Sequence, residues 1–244
     1  MSRTYALATL VLSLAATFSA HADTAPSLVA APVEQVFVPI GFDSNDDAEV
    51  VVHGHFPSSC YKIGPIKSDV DFASRRVVVR VSAWFYRDGI CHPMRVPYVA
   101  SVKLGPLLDG DYSVRVSGVE AVSAALPITP ATSSNPDDFV YAPVDTVELT
   151  SDEAGRPAVR LAGTAPEMDN GCLLLAETKI MRSDAVFVVL PIARIERDLA
   201  LCAAQPSRRF SAVATLPEDT GAGDFLLHVR VLAGQSINRL VTIP

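Results

Sequence analysis

Hydrophobic and polar residues alternate along much of this chain. Between residues 76 and 85, Val77, Val79 and Val81 point one way and Val78, Arg80 and Ser82 the other. A period of two is what a half-buried β-strand requires. Similar stretches at 33–38, 49–56, 61–72, 98–104, 112–116 and 119–128 predict further strands. In the second of these, Val50, Val51 and Val52 are β-branched side chains that favour an extended backbone. Polar or glycine-containing clusters separate the runs: Asp43-Ser44-Asn45-Asp46-Asp47, Arg87-Asp88-Gly89 and Asp109-Gly110-Asp111. The Asp43–Asp47 cluster lacks the spacing and terminal Glu of a hand-type calcium loop and is expected to be a solvated turn. No stretch carries a 3.6-residue apolar stripe with caps. Short strands at close intervals predict an antiparallel sandwich.

The run from 185 to 195 breaks the alternation, being apolar on both sides until Arg194. It contains Pro191 and is short for a membrane span, so a buried strand is expected. His228 falls within 225–231, another expected strand.

The pattern restarts midway. Ala31-Pro32-Val33 is echoed by Ala142-Pro143-Val144, and Val52-His53-Gly54 by Leu161-Ala162-Gly163. Gly54-His55-Phe56-Pro57 returns as Gly163-Thr164-Ala165-Pro166, and Asp111-Tyr112 as Asp224-Phe225. Common order and a nearly constant offset predict two copies of one unit. Pro, Thr and Ser crowd the region between them. The expected organisation is a short, mobile leader at 23–32, one β-sandwich domain at 33–128, a linker at 129–138 and a second β-sandwich domain at 139–244.

The N-terminus changes the picture of where this happens. Arg3 precedes an uncharged run from Tyr5 to Ala20, closed by Ala20-His21-Ala22. A charged start, an apolar middle and a small-x-small end predict a cleaved secretory signal over 1–22. The mature chain then has no expected transmembrane segment, and its localisation is periplasmic or secreted. The formal net charge is −7 and the arginines are scattered, which argues against nucleic acid as a partner.

Four cysteines fit that compartment. Cys60 and Cys91, then Cys172 and Cys202, form two pairs of nearly equal spacing. Oxidising conditions favour two local disulfides. Closing a loop of this size restricts the unfolded chain by roughly 3.5 kcal/mol. Cys-x-x-Cys spacing, which redox or metal chemistry would need, is absent.

The order Gly-x-x-Pro, Cys, long loop, Cys, then Gly110-Asp111-Tyr112-Ser113-Val114 resembles the Ig-like β-sandwich modules of exported bacterial proteins. The second half departs by extra residues between Pro166 and Cys172 and by Phe225 in place of tyrosine. The resemblance implies fold and compartment. Together the expectation is an all-β chain of two tandem Ig-like antiparallel β-sandwich domains, each with one disulfide.

One constellation could carry chemistry. His53 and His55, two apart on a strand, share a face. The Cys60–Cys91 bridge would bring His92 and Met94 back toward that strand's end. Imidazole with thioether is a ligand set suited to copper. Matching positions in the second half are Ala162, Thr164, Ala203 and Gln205. There is no Gly-x-Ser-x-Gly, His-Glu-x-x-His or phosphate-cradling glycine loop. The expected role is therefore non-catalytic and without a cofactor: binding or structural support in the bacterial cell envelope, with another envelope or extracellular protein as partner. A periplasmic copper-binding protein is the alternative, and a secreted inhibitor or carbohydrate-binding module a third.

Overall fold

The computed structural model describes residues 25–168, 171–203 and 208–244, so the expected signal at 1–22 lies outside the described residues. The described residues are all-β apart from one short helix, α1 (Leu199–Ala203). The first half contains β1 (Ser27–Ala30), β2 (Gln35–Phe37), β3 (Phe42–Asp43), β4 (Ala48–Phe56), β5 (Tyr61–Asp71), β6 (Arg76–Phe85), β7 (Val96–Gly105), β8 (Gly110–Val116) and β9 (Val119–Thr129). The second contains β10 (Val144–Ser151), β11 (Pro157–Thr164), β12 (Cys172–Ser183), β13 (Val186–Glu196), β14 (Arg209–Thr215), β15 (Gly223–Val231) and β16 (Gln235–Ile243).

In the first half, β2-β4-β7 forms one sheet and β5-β6-β8-β9-β3 the other. The ladders are antiparallel except β6 with β8 and β3 with β9. In the second half, β10-β11-β14 faces β12-β13-β15-β16, and β13 with β15 is its parallel pair. The order β2-β4-β7 and β5-β6-β8-β9 thus recurs as β10-β11-β14 and β12-β13-β15-β16, while β1 and β3 have no counterpart strand among the described residues of the second half. Alternation selects the core face of each strand: Val77, Val79 and Val81 of β6 meet Val50 and Val52 of β4. In the second half Phe187, Val189, Leu227 and Val229 meet Val159 and Leu161.

The echoed glycines have a common steric cause. A Cβ on Gly54 would collide with the Pro32 carbonyl oxygen and press on the Tyr98 ring. A Cβ on Gly163 would collide with the Pro143 carbonyl oxygen and press on the Phe210 ring. In each half the chain entering the sandwich crosses β4 or β11 at backbone contact distance, which only glycine permits. The Tyr98 hydroxyl donates to the same Pro32 carbonyl at 2.5 Å.

Part of the expected leader is structured instead. Ser27–Ala30 pairs antiparallel with Ser82 to Phe85 of β6, beyond the point where β8 leaves that edge. Its side chains alternate in burial, and an unpaired edge of β6 would otherwise stay open. The linker region also has anchors. The Asn45 amide donates to the Ser133 carbonyl at 2.9 Å, and the Ala131 N–H to Ser44 Oγ at 3.1 Å.

Both expected disulfides are formed, Cys60–Cys91 and Cys172–Cys202. Among the aromatic side chains, Trp84 and Phe210 are only partly buried, whereas Tyr112 and Phe187 are fully buried.

Candidate functional site at the junction of the halves

The sheet β2-β4-β7 does not present its second face to water. On β4 the even-numbered side chains enter the first core, and Glu49, Val51, His53 and His55 point the other way. Ladder register places Lys103 opposite Glu49, Ser101 opposite Val51 and Val99 opposite His53, with Phe37 of β2 beside Val51. This face meets β13, β15 and β16 of the other half. Phe37 and Val51 pack with Val186, Val188, Leu190, Ile192, Leu226 and Tyr141 in one buried cluster. The four sheets therefore stack in layers with three apolar seams.

The junction also holds charge. Glu49 and His228 are each 1% exposed, with Glu49 Oε1 and His228 Nδ1 3.3 Å apart. The Lys103 ammonium lies 2.5 Å from Glu49 Oε2, and Ser236 and Asn238 both donate to Oε1 at 2.6 Å. Burial opposes ionisation of Glu49. The hydrogen bond and charge of His228, with Lys103 and Ser236, outweigh it and hold the carboxyl well below the usual range. His228 Nδ1 also lies 2.8 Å from Asn238 Oδ1, and its ring meets Phe42 edge-on.

A second ion pair lies alongside. Arg230 donates to Asp46 at 3.2 Å and to the Gly41 carbonyl at 2.5 Å, and its guanidinium covers the Phe42 ring at 4.3 Å. Burial raises the pKa of Asp46, and Arg230 works against that rise. Asp43 and Asp46 are buried, so the acidic cluster expected as a solvated turn is instead a structural knot: the Asp43 N–H donates to Asp46 Oδ2 at 3.0 Å. The cavity between these groups measures only about 20 Å³, so little space is left around the two ion pairs.

The copper candidates divide. His53 and His55 do share a face, with ring centroids 5.0 Å apart and nearly perpendicular. Burial, then the neighbouring His55, lowers the pKa of His53. His55 Nδ1 is 3.0 Å from Glu34 Oε2 and 3.1 Å from the Arg95 guanidinium, which itself donates to Glu34 at 2.7 Å. His92 is tied to Ser59 through its backbone, its N–H donating to Ser59 Oγ at 3.0 Å, and Met94 is 54% exposed. No hydrogen bond or ring contact among the described residues joins His92 to the pair. Among the described residues, no three His, Cys, Asp or Glu side chains are arranged to hold a metal ion.

Glu49, His228 and Arg230 were not evident as partners because nothing local marks them. Glu49 stands beside three valines, and His228 and Arg230 interrupt an apolar strand. Polar residues inside runs that are otherwise apolar on both sides were the available signal, since such runs mark strands buried on both faces.

The family model of the ORF11 beta-sandwich domain matches residues 50–125, from within β4 to within β9. No curated protein and no solved structure matches the chain. The match agrees with the sandwich described for the first half. No helix among the described residues is long and apolar enough to cross a membrane.

Proposed function

We propose that the chain is an exported, non-catalytic binding or structural protein of the bacterial cell envelope, periplasmic or secreted, built from two tandem Ig-like modules held as one unit. The observation that carries this reading is the buried junction. A seam of apolar side chains with two paired charge clusters holds the halves in one orientation, as a scaffold that presents fixed surfaces requires. Two disulfides, with no free cysteine among the described residues, support an oxidising compartment. The Glu49–His228 pair resembles acid–base machinery in composition only. Both groups are 1% exposed and the adjoining cavity is too small for a substrate. The partner in this reading is another envelope or extracellular protein, met at a sheet edge or face.

The test is fractionation of the native host followed by crosslinking. The expected product is a chain beginning at Asp23, fully oxidised, in the periplasmic or extracellular fraction and crosslinked to one envelope protein in constant ratio. A chain retaining Met1, with reduced thiols in the cytoplasm, would refute it.

Copper binding by His53, His55, His92 and Met94 is the second reading, favoured by the proximity of the first two rings. The Arg95 guanidinium against His55 opposes it, because a fixed cation repels an incoming one. Titration of Cu(I) and Cu(II) into the protein and into His53→Ala/His55→Ala decides between them. Equal, weak binding by both would end the copper reading.

A further inference from the structure

The two sandwiches close differently beside their disulfides. In the first half the end is plugged by rings. Phe56 stacks on Tyr98 at 4.6 Å and on Tyr61 at 5.8 Å, and Tyr61 stacks on Phe85 at 4.7 Å. The ladders identify the matching positions in the second half. Gly54 pairs with Tyr98, and Gly163 with Phe210. Two residues past each glycine stand Phe56 and Ala165. Tyr61 pairs with Phe85 one residue after Cys60, as Leu173 pairs with Ile195 one residue after Cys172. The plug Phe56–Tyr61–Phe85–Tyr98 thus becomes Ala165–Leu173–Ile195–Phe210, and its central ring is gone.

Three further substitutions go the same way. In the same registers, Trp84, Val96 and Pro97 of the first half become Arg194, Arg208 and Arg209 in the second. All three arginines line a cavity of about 660 Å³ whose apolar wall includes Ala165, Leu173, Leu175 and Phe210. Glu167 is the one acidic residue among the described lining residues, on a chain whose net charge is −7. The Arg208–Glu167 and Arg194–Glu196 pairs, at 2.9 and 3.5 Å, involve largely exposed guanidiniums. Such surface pairs are weak and can be exchanged for a ligand anion. A cavity of this volume, with an apolar wall on one side and charged groups converging on the other, has the size and the mixed lining of a small-molecule site.

We propose that this cavity binds a small anionic amphiphile, with its apolar ring or short acyl chain beside Ala165 and its carboxylate or sulfonate at the arginine rim. Apolar burial would hold the body, and the planar guanidiniums would hold the oxyanion. This names a ligand class for the binding role above. It rests on that role only for the claim that such a molecule is met in the cell. Failure of the fractionation test would leave binding in solution intact, and failure of binding would leave the export reading intact.

The probe is 1-anilinonaphthalene-8-sulfonate, titrated into the full oxidised chain with fluorescence detection, alongside its neutral analogue N-phenyl-1-naphthylamine and competing decanoate. The expected result is one saturable site displaced by decanoate. Ala165→Phe, which restores the plug, should weaken the sulfonate by about tenfold or more. Arg194→Ala/Arg208→Ala should weaken the sulfonate by about tenfold and leave the neutral analogue nearly unchanged. Far-ultraviolet dichroism and its thermal melt show whether each variant is folded. If Ala165→Phe does not fold, Leu173→Phe supplies a smaller plug and the arginine pair still decides. Unchanged binding in the folded plug variant, insensitivity to the arginines, or no saturable site would each overturn the proposal. So would binding of an uncharged aromatic peptide in preference to both anions.

Discussion

Strand β4 packs its two faces against different kinds of neighbour. Val50, Val52 and Phe56 enter a seam of apolar and aromatic side chains without a charged group among them. Val51 and Phe37 on the other face enter a seam that is equally buried, yet Glu49, Lys103, His228 and Arg230 flank it. The first kind of seam is nonspecific in chemistry and is made by alternation alone. The second fixes which face meets which, because a misaligned partner would leave Glu49 or Arg230 buried and unpaired, at large cost. The difference teaches that the halves are joined by polar register as well as by apolar area.

The largest effect should come from breaking that register. Glu49→Ala leaves His228, Ser236 and Asn238 without their common acceptor, and is expected to cost about 3–5 kcal/mol in urea unfolding, as for other halved buried pairs. A double-mutant cycle with His228→Ala should show coupling of about 1–3 kcal/mol. Near-additivity would place the two side chains in separate environments.

Next comes the covalent staple of the apolar side. Cys60→Ala/Cys91→Ala releases a loop of 31 residues and should cost roughly 3.5 kcal/mol, measurable by the same unfolding curves. Gly54→Ala and Gly163→Ala force a methyl against a proline carbonyl in equivalent places. Each should cost about 1–3 kcal/mol by overpacking, and similar losses would show that the two crossings are mechanically alike.

Acid should sharpen the comparison. Glu49 is held below its ordinary value of 4.5 by its partners, so the stability it supplies is complete above that pH and is lost as pH falls below it. Asp46 has the opposite sign. Its raised pKa means that its contribution is present below 3.8 and declines as pH rises through the folded value. Melting temperatures between pH 5 and 3 should therefore fall more steeply for the native chain than for Glu49→Gln. The smallest effect belongs to the rim: Arg95→Ala removes an exposed contact to Glu34 and should change stability by less than about 1 kcal/mol.

Much of this architecture was legible in the chain. Alternation located β6 and most strands of the first half, cysteine spacing located both bridges, and the Gly54 and Gly163 echoes marked the two backbone crossings. The stacking of the halves was not legible, because contact between distant sheets leaves no local period. Its trace lay in strands β4, β13 and β15, apolar on successive residues, where a sheet with one wet face would alternate. Ser27–Ala30 was missed because a four-residue edge strand in an Ala-, Pro- and Ser-rich stretch has too few positions to show a pattern. The histidine pair was placed correctly on one face, but the acid and arginine beside it come from residues 34 and 95, which only the fold brings near.

The most direct test uses the chain's one tryptophan, Trp84, which lies in the first half. Urea unfolding followed by Trp84 fluorescence and by far-ultraviolet dichroism should give coincident transitions. His228→Ala, a change confined to the second half, should shift both midpoints together. A Trp84 transition that ignores His228→Ala, with a separate second transition that moves alone, would contradict the locked junction.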